Sequence, residues 1–129
     1  TFEEIILKKA KPIRSQEQDS NGTLKKKVPS TPGRISYISL PYANDKNIQK
    51  LSLNNVVASN HNIVDNSWTL WSYEHMYTKL NPNKQTRAFI KYMLGKKVQD
   101  DLVSKIGYLS INKMQVKRDS NNQISKLGN

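Results

Sequence analysis

Prolines and glycines divide this chain into short segments, and their spacing limits the length of every helix and strand. They stand at positions 12, 29, 32, 33, 41, 82, 95 and 107, among others. Proline interrupts helices and the interior of sheets, and glycine commonly ends a helix. Between these residues the apolar positions follow a helical period in some segments and alternate in others. The pattern therefore predicts short strands alternating with helices, which is the α/β class.

Several segments carry a helical pattern. The apolar spacing predicts a short amphipathic helix from Phe2 that stops before Pro12, and small cap-forming residues predict a second helix starting near Ser20 and ending at Pro29. One helical turn is expected around Ile63 and Val64. Pro82 and Gly95 delimit a further helix with a predicted apolar stripe of Ala88, Phe89, Tyr92 and Met93. The next helix carries Val98, Leu102, Val103 and Ile106 on one face and ends at Gly107.

Three segments carry a strand pattern. Residues 34–40 are rich in β-branched and aromatic side chains between Gly33 and Pro41, and residues 48–53 are similar but shorter. Residues 69–77 place one set of side chains on a single face at a period of two, namely Thr69, Trp71, Tyr73, His75 and Tyr77. A short extended segment is expected at residues 108–111, and residues 119–129 are predicted to be a loose polar tail.

Composition limits both the core and the partners. Hydrophobic residues make up 36% of the 129 residues and the mean hydropathy is -0.73, so the core is expected to be modest. The formal net charge is +11, which favours anionic partners such as phosphate, nucleic acid or an anionic lipid surface.

Several kinds of chemistry lack support in the sequence. The absence of cysteine excludes disulfides, thiolate nucleophiles and zinc-thiolate sites. No Walker or dinucleotide-binding glycine motif occurs. His61 and His75 are not at metal-ligand spacing, and the acidic pairs at 3–4 and 100–101 diverge on helices instead of facing one substrate. These residues therefore give no support for a metal site, a nucleotide cofactor or a general acid/base pair.

Two motifs are open to two interpretations. The run Ser20, Asn21, Gly22 and Thr23 can hold an anion on free N–H groups at a helix start, or it can be an ordinary N-cap, which we favour. The aromatic residues Trp68, Trp71, Tyr73 and Tyr77 can stack on nucleic-acid bases or pack within the protein. We favour packing, because the basic residues are scattered and do not interleave with the aromatic ones.

Five blocks of sequence together carry a resemblance to a known family. They are TFE at the start of the chain, IRSQEQDSNGT at residues 13–23, TPGRISYISLPY at 31–42, WTLWSYEHMYTK at 68–79 and FIKYMLGKKVQDDLVSKIGYLSI at 89–111. In this order they resemble the phosphate-binding proteins of phosphate-specific ABC transporters, in their Gram-positive form. The likeness runs from the first residue to about residue 119.

The resemblance implies a fold and a domain organisation. The fold is a partial type II extracytoplasmic substrate-binding-protein fold, with two α/β lobes joined by crossing strands, of which this chain resembles the C-terminal portion. Residues 1–68 correspond to part of the second lobe, and residues 69–118 correspond to a crossing strand and helices that return to the first lobe. Residues 119–129 are a polar tail.

The resemblance also implies site residues. In the family, phosphate-contacting groups lie on a turn before the TFE helix and in the N-terminal lobe. The run from Ser20 to Thr23 is therefore expected to be a neighbour of the phosphate site. The hinge strands of lobe closure are expected at Ser39, Leu40, Pro41 and Tyr42 and at Leu70, Trp71, Ser72 and Tyr73.

The leading functional hypothesis follows from the resemblance. It is a segment of a cell-surface, extracellular protein that captures inorganic phosphate for the membrane permease of an ABC importer, with the membrane anchor outside this segment. The alternative is a small basic nucleic-acid-binding module, supported by the charge and the aromatic segment. A third hypothesis is a folding or assembly fragment without activity of its own. Self-association is expected, because the helices at 89–93 and 98–106 would lack a partner for their apolar faces.

Overall fold

The computed structural model of the chain describes residues 2–8, 10, 13 and 17–128. Its elements are short, as the proline and glycine spacing predicts. The described residues form four α-helices, namely α1 (Asn21–Lys27), α2 (Asn60–Val64), α3 (Lys84–Met93) and α4 (Val103–Lys105). The same residues form the strands β1 (Val116–Arg118) and β2 (Ile124–Lys126). Shorter elements are π-helical segments at Glu3–Leu7 and Lys97–Leu102 and 3-10 turns at Leu40–Ala43 and Ile111–Lys113.

Helix α1 begins where the cap-forming residues predict. The Ser20 side chain accepts a hydrogen bond from the Thr23 backbone N–H at 3.2 Å, and the Ser20 carbonyl accepts from the Leu24 N–H at 3.1 Å. This is the geometry of an N-cap, which satisfies one of the donors left free at a helix start. The helix ends at Val28, immediately before Pro29. Both predicted ends are confirmed.

The predicted helical turn around Ile63 and Val64 is also confirmed, by α2. The predicted N-terminal helix is present as the π-helical segment Glu3–Leu7, which ends at Lys8 in the left-handed conformation with φ 45°. Pro12, the predicted stop, lies outside the described residues.

Helix α3 forms where predicted, but its packed face differs from the predicted stripe. Asn83 is the N-cap and accepts from the Thr86 N–H at 2.8 Å, so Pro82 precedes the helix instead of starting it. Phe89 is 58% exposed, Tyr92 is 50% exposed and Ala88 is also exposed, so the predicted stripe is wrong for these three residues and right only for the half-buried Met93. The half-buried positions of the helix follow a different i, i+4, i+7 row, namely Thr86, Ile90 and Met93.

The helical stretch after Gly95 is confirmed in position but not in its apolar face. It is π-helical from Lys97 to Leu102 before it continues as α4. Val98 is buried with 3% exposure, whereas Leu102 is 41% and Ile106 is 65% exposed. The wider π-helical turn offsets the side chains from a 3.6-residue period, so the predicted face does not stay on one side.

None of the three predicted strands is a strand of a sheet. Residues 34–39 form no regular element and lead into the 3-10 turn Leu40–Ala43. Residues 48–52 also have no ladder, and Leu53 makes only an isolated bridge with Val56. Residues 69–79 are likewise without regular structure. Alternating residues predict an extended backbone, but a strand also needs a hydrogen-bonded neighbour, which the sequence pattern does not specify.

The aromatic face predicted for residues 69–77 is nevertheless present. The rings of Trp71 and Tyr73 are 5.4 Å apart, those of Tyr73 and His75 are 6.2 Å apart, and those of His75 and Tyr77 are 6.0 Å apart. Contacts between every second residue show that these side chains share one side of the segment.

The end of the chain, predicted to be loose, forms a hairpin instead. Strands β1 and β2 are antiparallel, with Lys117 opposite Ser125. The Asp119 side chain accepts from the backbone N–H groups of Asn121 at 2.9 Å and Gln123 at 2.8 Å, which fixes the turn. The segment expected to be extended at 108–111 leads into the 3-10 turn Ile111–Lys113. Polar turn residues had suggested a loose tail, yet their side chains close the hairpin.

The core is small, as the composition predicts. Its buried apolar residues are Ala43, Trp68, Trp71, Val98 and Val116. The described part of the chain contains helices and one two-stranded sheet. This mixed content agrees with the predicted α/β class, although it does not show the arrangement of a type II fold.

Candidate functional site

The run from Ser20 to Thr23 forms the first turn of α1 and its cap. Ser20 is exposed, whereas Asn21, Gly22 and Thr23 are half-buried. The Ser20 and Thr23 side-chain oxygens are 3.1 Å apart. A Cβ on Gly22 would meet the Ser20 Oγ at an ordinary 3.8 Å, so packing does not demand a glycine there. Ser20 is therefore an N-cap, the backbone beside Gly22 is open to close approach, and anion binding at this turn stays a prediction.

Asn21 joins this turn to the first predicted hinge segment. Its Nδ2 donates to the Ser39 Oγ and its Oδ1 accepts from the Ser39 backbone N–H, both at 3.3 Å. One amide thus satisfies two groups of Ser39 across 18 residues of sequence. Both bonds are partly buried, where water competes less for the same groups. The Asn21 amide therefore fixes the distance between the α1 start and Ser39.

A salt bridge supports the same junction. The Lys25 Nζ, one turn along α1, lies 3.3 Å from the Asp45 carboxylate. A hydrogen bond from the Asn47 backbone N–H lowers the pKa of Asp45, and the Lys25 ammonium lowers that pKa further. The carboxylate is therefore held in its charged form beside the helix.

The 3-10 turn Leu40–Ala43 is held from its other side by Gly107. This glycine has φ 86°, and a Cβ at its position would lie 3.2 Å from the Pro41 Cβ. Both the left-handed backbone and the close approach to Pro41 favour glycine. The first predicted hinge segment, Ser39 to Tyr42, therefore sits between the α1 start and the end of the α4 stretch.

The second predicted hinge segment, Leu70 to Tyr73, packs on a different part of the chain. The Trp71 Nε1 donates to the Asn66 Oδ1 at 2.8 Å, and the Trp68 Nε1 donates to the Leu70 carbonyl at 2.9 Å. Trp71 is 8% exposed. Both indole N–H groups thus have partners in the interior, as buried tryptophans require.

Arg118 of β1 covers this segment. Its guanidinium carbon lies 4.4 Å from the centre of the Trp71 ring, its Nη2 donates to the Thr69 carbonyl at 2.9 Å, and its backbone N–H donates to the Tyr73 hydroxyl at 3.3 Å. Burial lowers the pKa of Arg118, although the nearby Tyr73 acts in the opposite direction. Sequence reasoning missed Arg118, because it lies next to a segment interpreted as a loose tail.

The structure thus connects Ser20–Thr23 with the first predicted hinge segment but not with the second. Among the described residues, no hydrogen bond joins residues 39–42 to residues 70–73.

A buried polar cluster was also missed. Ser110 is fully buried, its Oγ donates to Asp100 at 3.3 Å and accepts from the Asn112 N–H at 3.2 Å. Gln99 donates to the Met93 carbonyl at 2.9 Å and accepts from the Ile111 N–H at 3.2 Å. These bonds connect the helical stretch to the loops beside it, which is a structural role. The sequence does not predict this cluster, because single Ser and Gln residues occur in many surroundings.

Within the described residues, no group of three or more His, Asp or Glu side chains is arranged to hold a metal ion. In the same part of the chain, every helix is too short or too polar to cross a bilayer.

Comparison with known proteins gives one informative result. No family model matches the sequence. The phosphate-binding protein PstS of Bacillus subtilis (strain 168) is 31% identical to this chain over 125 residues, which is 97% of the chain. The chain is a relative of PstS. This confirms the resemblance predicted from the five sequence blocks.

The likeness to PstS covers the two chains unequally. The chain spans 42% of the length of that relative. The coverage is consistent with the predicted likeness to the C-terminal portion of a longer family member.

Proposed function

We propose that this chain is a segment of a phosphate-binding protein that captures inorganic phosphate and delivers it to the membrane permease of an ABC importer. The observation that carries the proposal is the 31% identity to PstS over 97% of the chain. The net charge of +11 supports an anionic ligand. The proposed role is binding without catalysis and without a cofactor, on the cell surface of a Gram-positive bacterium.

The proposed architecture is part of a type II substrate-binding fold. Residues 1–68 would be part of the second lobe, residues 69–118 would be a crossing strand and helices that return to the first lobe, and residues 119–129 would be a polar tail. The mixed helix and strand content is consistent with the fold class.

We place the start of α1 beside the phosphate site. Helix geometry leaves the backbone N–H groups of Asn21 and Gly22 without partners in their own helix, and such groups attract anions. Ser20 already caps Thr23, so its role there is to hold the turn in shape. Lys25, Lys26 and Lys27 follow within the same short helix and add positive charge.

We assign the hinge to Ser39–Tyr42 and Leu70–Tyr73. Side-chain contacts hold both segments, Ser39 through the Asn21 amide and Trp71 through Asn66 and Arg118, and neither segment has a sheet partner in the described chain. A segment that is held by side chains but not paired in a sheet can change its backbone angles, as hinge segments do when two lobes close. The Asn21 amide bonds to Ser39 would then transmit the position of the first segment to the α1 start.

The nucleic-acid alternative is still supported by the positive net charge. It is less well supported by the aromatic residues, because two of them are buried. Trp68 and Trp71 are 9% and 8% exposed, and Arg118 covers the Trp71 ring. Tyr77, at 88% exposed, remains accessible for stacking. The alternative would be favoured if this chain bound single-stranded DNA or RNA with a strong dependence on salt. The logarithm of the binding constant would then fall by about one unit per tenfold increase in salt for each phosphate contact.

Complementation of phosphate uptake tests the proposed function. In a chimera, the aligned region of Bacillus subtilis PstS is replaced by this chain and produced in cells that lack PstS. We expect the chimera to restore uptake of labelled phosphate at low external concentration, whereas PstS without the aligned region should not. A chimera that is folded and exported but leaves uptake at the level of the truncated control would contradict the proposal.

A further inference from the structure

The first turn of α1 contains the one Asn–Gly pair of the sequence, Asn21 and Gly22. An asparagine amide can be attacked by the backbone nitrogen of the residue that follows it, and glycine obstructs this attack least because it has no side chain. Beyond its neighbours in the helix, the Ser20 Oγ is the nearest atom that a Cβ at Gly22 would meet, at 3.8 Å. The pair therefore has the residue types of a deamidation site, with room around the attacking residue.

Deamidation of this pair uses only atoms of the chain itself and water. The Gly22 nitrogen forms a bond to the Asn21 Cγ, the Cγ–Nδ2 bond breaks, and the Nδ2 group leaves as ammonia with the proton of the Gly22 N–H. Water then opens the five-membered succinimide ring at one of its two carbonyl carbons. The product is aspartate or isoaspartate, so a carboxylate replaces a neutral amide and the net charge falls by one from +11.

The structure leaves the attacking nitrogen available and holds the amide that it would attack. Helix geometry leaves the N–H groups of the first turn without partners in their own helix, and Gly22 is in that turn. The Asn21 Nδ2 donates to the Ser39 Oγ and its Oδ1 accepts from the Ser39 N–H, both at 3.3 Å and partly buried. Both atoms attached to the Asn21 Cγ are thus engaged with Ser39. The ring can close only after this contact opens and the helical backbone at Asn21 rotates.

We propose that Asn21 is a deamidation site whose rate is set by its contact with Ser39. A hydrogen bond between neutral groups shifts an equilibrium by about two- to tenfold, so the two bonds together should slow the reaction roughly 4- to 100-fold relative to the unfolded chain. The reaction removes the Nδ2 donor, and isoaspartate also adds one carbon to the backbone of α1. The isoaspartate product therefore cannot link the start of α1 to Ser39 as the amide does. This site does not depend on phosphate binding.

Peptide mapping by mass spectrometry on the full 129-residue chain measures the rate. The chain is incubated in mildly alkaline buffer, where the Gly22 nitrogen loses its proton more readily, and in the same buffer with enough urea to unfold it. The tryptic peptide of residues 15–25 reports the reaction, because Asn21 is its only asparagine. We expect the native chain to react roughly 4- to 100-fold more slowly than the unfolded chain.

Two results with the unmodified chain would overturn the proposal. Equal rates in native buffer and in urea would show that the contact with Ser39 protects nothing. Slowing by roughly a thousandfold or more, with a rate that follows global unfolding as urea is added, would show that the whole fold controls the reaction. Control by the local contact predicts moderate slowing that hardly changes at urea concentrations below the unfolding transition.

Matched serine variants test the role of Ser39. Ser39→Ala removes the Oγ partner and should speed deamidation of the native chain about two- to tenfold. Ser39→Thr keeps a hydroxyl and should stay near the unmodified rate. Ser36→Ala changes an exposed serine of the same segment and should leave the rate unchanged. Equal acceleration by Ser39→Ala and Ser36→Ala, or none by a folded Ser39→Ala, would overturn the assignment to Ser39.

Two controls complete the experiment. Asn21→Gln should abolish the reaction in this peptide, because the longer side chain does not form the five-membered ring. Circular dichroism verifies that each variant is folded. If Ser39→Ala fails to fold, the native rate of the unmodified chain and its dependence on urea still decide.

Discussion

Replacement of Trp71 by alanine should destabilise this protein more than any other single change in the aromatic segment. Trp71 is 8% exposed, its Nε1 donates to the Asn66 Oδ1 at 2.8 Å, and its ring contacts both Tyr73 and the Arg118 guanidinium. The substitution therefore removes a buried ring, leaves an amide oxygen without its donor and removes the ring that the half-buried Arg118 guanidinium covers.

The expected loss is about 3 to 5 kcal/mol, the usual cost of truncating a buried tryptophan. Within that loss, the ring pair contributes about 0.5 to 1.5 kcal/mol, and the cation–π contact contributes about 0.5 to 1 kcal/mol. A small domain has only about 5 to 15 kcal/mol of net stability. The variant should thus lose a large fraction of it.

Urea unfolding followed by circular dichroism measures the loss. Tyr77→Ala is the matched control, since it removes a ring from the same segment at a position that is 88% exposed. It should change the free energy of unfolding by no more than about 0.5 kcal/mol. A loss below about 1 kcal/mol for Trp71→Ala, or equal losses for both variants, would refute the central packing of Trp71.

Three further changes test single features of the fold. Gly107→Ala should destabilise the protein more than Gly33→Ala, because both glycines have positive φ (86° and 78°) but only Gly107 has a neighbour, Pro41, within 3.2 Å of the added Cβ; equal losses in thermal melts would refute the tight contact. Ser20→Ala should cost about 0.5 to 2 kcal/mol in urea unfolding through loss of the α1 cap, and an unchanged midpoint would contradict that role. The pKa of Asp45 is lowered in the folded state, so its contribution to stability is present above the unfolded pKa of about 4 and is lost as pH falls through the folded pKa. The stability difference between the wild type and Asp45→Asn should therefore be present at pH 6 and shrink below about pH 4, and a difference independent of pH would contradict the interaction.

Local signals in the sequence predicted the positions of the helices well, their packed faces less well and the sheet poorly. The α1 cap and the Pro29 stop involve residues a few positions apart, so the sequence contains the whole interaction. Strand pairing depends on a second segment that the sequence pattern does not identify. In the β1–β2 hairpin, for example, the turn is closed by Asp119, whose polar neighbours have the composition of any surface loop. Residues 34–40 and 69–77 have the right alternation but no neighbour to pair with. Alternation predicts extension, and only tertiary structure decides whether a sheet forms.

In the candidate site, too, local interactions were predictable from the sequence and long-range contacts were not. The cap residues of the Ser20–Thr23 run were predictable, because capping depends on residue type at a helix start. The Asn21 bonds to Ser39 and the position of Arg118 over Trp71 were not, since each joins residues at least 18 apart. The family likeness came from five blocks in order, which is information of a different kind from periodicity and charge.

Calorimetric titration of the purified PstS chimera with inorganic phosphate tests the central functional claim most directly. In this chimera the aligned region of PstS is replaced by this chain, so the proposal puts the start of α1 beside phosphate-contacting groups that the rest of PstS supplies. The proposal predicts saturable binding of one phosphate per chimera, absent from PstS that lacks the aligned region and not reproduced by chloride at equal concentration. A folded, monomeric chimera that gives no more heat with phosphate than the truncated control would contradict the claim.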